Sequence, residues 1–180
     1  MVNNKSASLP NQEVAKILSG DLTREVPQEV RNVLLDVILI WASLDMATAF
    51  YLSSIKGLDP SEGANRYGRK EIAEKLKKAA KALFDEGKND TASEIQKIAA
   101  DYPDKAFYRK RIAHSRLVGV RASDSSRLVF LPFENEGPPG NLAMEVLSVE
   151  LFSDAFRWAQ AAHVFFMALV DQEGFFSAEA

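Results

Sequence analysis

The chain has 180 residues, 47% of them hydrophobic and 26% charged, with a net charge of −3 at pH 7. These proportions exclude a disordered or fibrous protein and suffice for a single domain over residues 1–180 that buries a core without a disulfide or metal staple. No cysteine occurs, which excludes disulfides, iron–sulfur clusters, thiol nucleophiles and thiolate zinc sites and fits a reducing, cytoplasmic compartment.

Residues 1–10 are polar, lack the apolar stretch of a signal peptide, and are expected to fray. A short helix over 11–19 is expected to stop at Gly20. Pro27 suits the first position of a long helix that runs to Lys56, with Gly57 as its stop. Within it, residues 33–55 contain neither lysine nor arginine, but Asp36 and Asp45 interrupt them. Each aspartate costs about 2.5–3.5 kcal/mol at a membrane helix centre, so the expectation is a buried helix of a soluble fold. Leu58 to Gly63 reads as a turn. A helix over 69–86 follows, with Ile72, Leu76, Ala79, Ala80, Leu83 and Phe84 as its apolar stripe and lysines 75, 77, 78 and 81 on its solvated face. Gly87 ends it, a further helix runs to about Ala100, and Pro103 is placed to start another that carries Phe107 to His114.

The pattern then changes. Leu117-Val-Gly-Val120 and Leu128-Val-Phe-Leu131 flank the polar segment 121–127 and predict a β-hairpin. Residues 134–141, with Gly137-Pro-Pro-Gly140, predict a loop, and 148–172 a last amphipathic helix stopped at Gly174. The fold expected is therefore all-α: a bundle of about five helices with a small hairpin inserted before the C-terminal helix. The apolar side of that helix, with Phe152, Phe156, Phe165 and Phe166, is broad enough to predict a symmetric homodimer.

Charge is segregated. Residues 105–127 carry seven basic side chains against one acidic, while 128–180 carry one against eight. A patch of +6 in an acidic protein attracts a phosphate backbone or docks on an acidic neighbour. No glycine-rich phosphate loop, nucleophile elbow or metal-ligand spacing occurs, so neither cofactor nor metal is expected. His114 and His163, the two histidines, fall on different predicted elements.

The segment Tyr108-Arg-Lys-Arg-Ile-Ala-His-Ser115 remains. Arginine is permanently charged and forked to match phosphate oxygens, and histidine titrates near neutral pH, so Arg109 with His114 has the chemistry to cleave RNA without a metal. Five helical steps separate the two by about 140° around the axis, so they converge only at a helix end or across a dimer axis. The structural alternative has His114 closing a helix C-terminus and Arg109 pairing with a buried carboxylate, for which Asp45 is the candidate.

This segment resembles the Arg-x4–6-His signature of the HEPN superfamily. The order of elements over about residues 30–172 is similar to that of a bacterial subset with a long apolar helix, a Leu-Gly-Leu-Ser-Pro-like turn, a basic helix, the motif, a hairpin and a final helix. The counterparts here are Tyr51 to Pro60, the helix over 69–86, Arg109 to Ser115, the hairpin and the helix over 148–172. The resemblance implies a dimeric helical bundle, and a metal-independent endoribonuclease or RNA-binding protein of a prokaryotic defence, toxin or mobile-element system, with an antitoxin-type protein as a further partner. Arg109 and His114 are then the catalytic pair, Asp45 and Lys110 support them, and Arg111 and Arg116 hold the nucleic acid backbone. Lys110 departs from the family pattern, where asparagine is usual. A lysine binds phosphate but accepts no hydrogen bond. The other reading is a non-catalytic helical interaction protein whose Arg109–His114 segment is architectural.

Overall fold

In the computed structural model, glycines end the helices where the sequence placed their stops: Gly57, Gly87 and Gly174 have φ of 62°, 76° and 65°, the left-handed region that glycine enters without a Cβ penalty. The structure describes residues 9–132 and 144–175. Residues 1–8 of the expected frayed start and the loop expected over 134–141 lie outside the described residues. The elements are α1 (Asn11–Gly20), β1 (Leu22–Thr23), α2 (Gln28–Ser54), α3 (Pro60–Tyr67), α4 (Ile72–Asp85), α5 (Asn89–His114), β2 (Ser115–Arg121), β3 (Asp124–Pro132), β4 (Glu145–Ser148) and α6 (Val149–Gln172). The protein is mostly helical, with more strand than one hairpin: the sheet is antiparallel in the order β1-β2-β3-β4.

Two helical expectations need correction. Leu58 to Gly63 is not a simple turn, because α3 starts there. Asp59 caps it by accepting from the backbone N–H of Ser61 and Glu62 at 2.8 and 2.9 Å, and Pro60 fits its first turn. Gly63, which reads as a turn residue, is needed for proximity: a Cβ there would collide with the Ser53 side chain. Pro103 does not start a helix but lies inside α5. An interior proline costs about 3 kcal/mol, which is offset by packing beside it, where the Tyr102 ring meets Trp41 edge-on at 5.6 Å and Trp158 at 6.5 Å.

The chain divides into two compact units, Met1–Ile38 with Phe107–Ala155 and Leu39–Ala106 with Phe156–Ala180. The divisions fall within α2, at Ala106–Phe107 in α5 and within α6, not in linkers. In the first unit both sheet faces are covered. Val129 packs with Val14 and Ile17 of α1 and with Met144, while Phe130 stacks on Phe152 at 5.7 Å and Tyr108 meets the same ring at 5.5 Å. Alternation along β3 sends these side chains to opposite faces. In the second unit Trp41 stacks on Trp158 at 5.6 Å, and Leu44, Leu52, Leu76, Leu83 and Ile95 are fully enclosed.

β1 is held by one aspartate. Asp21 accepts from the Ser123 N–H at 2.8 Å and from Arg121 Nε at 2.7 Å, and its carbonyl accepts from Ala122 N–H at 3.2 Å. Gly119 lets the strand approach, since a Cβ there would collide with the Thr23 carbonyl. Ser123, through its hydroxyl and backbone N–H, and then Arg121 lower the Asp21 carboxyl from an ordinary 3.8 to about 2. A depressed carboxyl stabilises the fold above its unfolded value and loses that contribution as pH falls through the folded one. Near-UV circular dichroism during acid titration is therefore expected to show wild type losing stability between pH 3.8 and about 2, and Asp21→Asn losing less over the same window. Equal slopes would show that this carboxylate does not hold β1.

α2 is long and apolar enough to cross a membrane, with a mean hydropathy of 1.8, and 39% of its most apolar stretch is buried. The aromatic residues expected to leave α6 uncovered are largely covered. Phe152 and Phe166 are buried, and Phe156 and Phe165 are half-buried.

Candidate functional site

Arg109, Lys110, Arg111, His114 and Arg116 all belong to the first unit, where α5 hands over to β2 without an intervening loop. Arg109, Lys110, His114 and Arg116 are exposed, and among the described residues none of these four side chains makes a hydrogen bond or an ion pair. His114 is the last residue of α5. Its imidazole therefore stands at the C-terminal end of the helix.

Because α5 stays helical through His114, Arg109 and His114 remain about 140° apart around the axis, while Lys110, one turn before His114, is only about 40° from it. The nearest helical neighbour of the histidine is the lysine that departs from the family pattern. Arg109 points along a different side of the same helix end.

Arg111 is committed elsewhere. Its Nη2 donates to Glu145 Oε1 at 2.7 Å, with the two side chains 14% and 5% exposed, and its guanidinium carbon lies 4.7 Å from the centre of the Phe107 ring. The expectation that Arg111 holds a nucleic acid backbone therefore needs correction: β4 supplies a carboxylate that occupies its charge, and burial removes it from solvent. The pair is incompletely satisfied. Arg111 Nε, Glu145 Oε2 and Ser115 Oγ are buried with no hydrogen-bond partner among the described residues.

The basic segment is thus reduced by its own fold. Of its seven cations, Arg111, Arg121 and Arg127 form ion pairs with Glu145, with Asp21 and Glu13, and with Asp124. Lys105, Arg109, Lys110 and Arg116 enter none among the described residues.

Asp45 belongs to the second unit. It is not buried as expected. Its side chain is 42% exposed and takes Lys75 Nζ at 2.6 Å on Oδ1, with the Asp45 carbonyl accepting from the same nitrogen at 2.6 Å. Lys75 is the buried member, with no exposed side-chain surface, so it does not share the solvated face expected for the four lysines. Burial, opposed by Asp45, pushes the Lys75 ammonium below its ordinary range. Asp45 is committed to joining α2 to α4.

A groove of about 340 Å³ along α4 and α5 in the second unit was not evident from the sequence; Leu76, Lys77, Ala80, Lys81, Phe84 and Gln96 line it. The only sequence signal for it is Phe84, predicted as core and 38% exposed. Comparison with known proteins finds no matching family model, no matching curated protein and no matching solved structure.

Proposed function

We propose that the protein is a HEPN-like RNA-binding protein that acts as a metal-independent endoribonuclease at the C-terminal end of α5, in a prokaryotic defence, toxin or mobile-element system. The observation that carries this reading is the exposure of Arg109 and His114, both without a partner among the described residues, at a helix end that also presents Lys110 and Arg116 to solvent. An architectural pair would be buried against a carboxylate or carbonyl, as Arg111 is.

In this reading His114 takes the proton of a ribose 2′-hydroxyl, and the 2′-oxygen attacks the adjacent phosphorus. The bond to the 5′-oxygen breaks, that oxygen leaves with a proton from solvent, and a 2′,3′-cyclic phosphate remains. Arg109 and Lys110 stabilise the added negative charge, and Arg116 holds a neighbouring phosphate. The separation of Arg109 from His114 around α5 favours a site completed by a second copy.

The test is incubation of wild type, His114→Ala and Arg109→Ala with mixed single-stranded RNA in EDTA. Wild type is expected to give cyclic-phosphate ends, and His114→Ala to lose about 100-fold or more in rate with an unchanged circular dichroism spectrum, because the residue is exposed. Equal cleavage by wild type and His114→Ala would overturn the assignment of the base. Absence of cleavage together with salt-independent RNA retention would favour the second reading, a non-catalytic homodimeric interaction protein. That reading is supported by the exposed apolar face of α2 and by Lys110 in place of asparagine.

A further inference from the structure

We propose that the groove between α4 and α5 in the second unit binds a short extended peptide segment that carries carboxylates and one large apolar side chain. The proposal does not rest on the RNA reading. The groove, of about 340 Å³, has an apolar floor: Leu76 and Ala80 are buried along it, and Phe84 is 38% exposed at one end. Covering the rest of that ring is a gain open to a ligand with an apolar side chain.

The lysines set the charge of that ligand. Of the four in α4, Lys75 is buried on Asp45 and Lys78 pairs with Glu74 at 2.8 Å. Lys77 and Lys81 line the groove, are exposed, and enter no ion pair among the described residues. Glu74 and Glu94 are taken by lysines of their own helices, so neither neutralises these two. Four residues apart, Lys77 and Lys81 stand about 6 Å from each other along the helix axis. That is close to the spacing of about 6.6 Å between alternate side chains of an extended chain, which point the same way. Two carboxylates in alternate positions therefore meet both ammonium groups.

α5 supplies the other bank, with Gln96 and Ala99. The Gln96 amide is exposed and makes no hydrogen bond among the described residues. It offers a donor and an acceptor side by side, the complement of a peptide bond. Pro103 lies inside α5 and has no N–H. The Ala99 carbonyl therefore lacks the donor that the residue four positions on supplies in an unbroken helix. A peptide N–H supplies it. A fatty anion would satisfy the lysines and the floor but offer nothing to this carbonyl, and an RNA strand would set phosphates on the lysines and leave the floor uncovered. The acidic peptide answers all of these features together.

The probe is a panel of fluorescein-labelled hexapeptides with one phenylalanine or leucine and two glutamates in alternate positions, titrated into the full chain and read by anisotropy. Saturable binding is expected, about tenfold tighter than for the same peptides with glutamine in place of glutamate. The double variant Lys77→Gln with Lys81→Gln is expected to lose that preference and to keep the wild-type circular dichroism spectrum, because both side chains are exposed. Pro103→Ala restores an N–H to the Ala99 carbonyl. It is expected to weaken peptide binding by about threefold or more while raising the urea midpoint, since the helix regains a bond. A role in folding alone would not move the two readouts in opposite directions. No saturable binding, equal binding of the glutamate and glutamine peptides, a preference that survives the lysine changes, an affinity that Pro103→Ala leaves unchanged, or tighter binding of dodecanoate or single-stranded RNA in the same groove would each overturn the proposal.

Discussion

Replacing Glu145 with alanine is expected to destabilise the protein by about 3–5 kcal/mol, because it leaves the Arg111 guanidinium buried without its carboxylate. Total stability of a domain is about 5–15 kcal/mol, so this loss is large. Arginine keeps its charge at all accessible pH values and cannot escape by neutralisation. The double variant Arg111→Met with Glu145→Met is expected to recover to within about 1 kcal/mol of wild type, or above it, since an apolar pair of similar volume avoids the desolvation of both ions. The unpartnered Arg111 Nε and Glu145 Oε2 strengthen that expectation: an ion pair that leaves a donor and an acceptor unsatisfied does not recover the cost of burying them. Urea midpoints of wild type, Arg111→Met, Glu145→Met and the double variant form the cycle that measures this, with Glu145→Ala measured beside it. A Glu145→Ala cost below about 1 kcal/mol would mean that Arg111 finds water or another acceptor. RNA cleavage by the double variant would show that the helix end presenting His114 does not depend on the pair for its position.

The two halves of the Asp45–Lys75 pair are expected to differ in the same kind of experiment. Asp45→Ala removes the exposed partner and leaves a buried ammonium facing one carbonyl, at a cost of about 3 kcal/mol. Lys75→Met removes the buried charge, keeps the volume, and leaves a carboxylate already 42% exposed to water, at a cost of about 1 kcal/mol or less. The pH dependence follows from the lowered Lys75 value. Between its folded value and the ordinary lysine value the unfolded state binds more protons, so stability from this group rises with pH. Asp45→Ala, which removes the favourable partner, is expected to gain more than wild type as pH rises toward the ordinary lysine value of 10.5. Equal costs for the two variants would show that Lys75 reaches solvent.

Several features of this protein are local, and the sequence determined them. Glycines at 57, 87 and 174 end helices because only they enter the left-handed region cheaply. The hairpin lies where β-branched and aromatic residues alternate around a polar turn. Other features belong to the tertiary structure, because they depend on what a residue meets across the chain. Pro103 stays within α5 because Tyr102 beside it packs on Trp41 and Trp158, and no local signal records that packing. β1 joins the hairpin because Gly119 admits Thr23 and Asp21 grips the β2–β3 turn, contacts that span about a hundred residues of chain. Of four lysines in one helix, Lys75 alone is buried, since only it meets Asp45. Arg111 and Arg109 are two positions apart in the same basic run, yet one is sealed against Glu145 and the other stands in solvent. A charged residue's type sets what it can bind, but the burial and partners that commit it are supplied by distant chain.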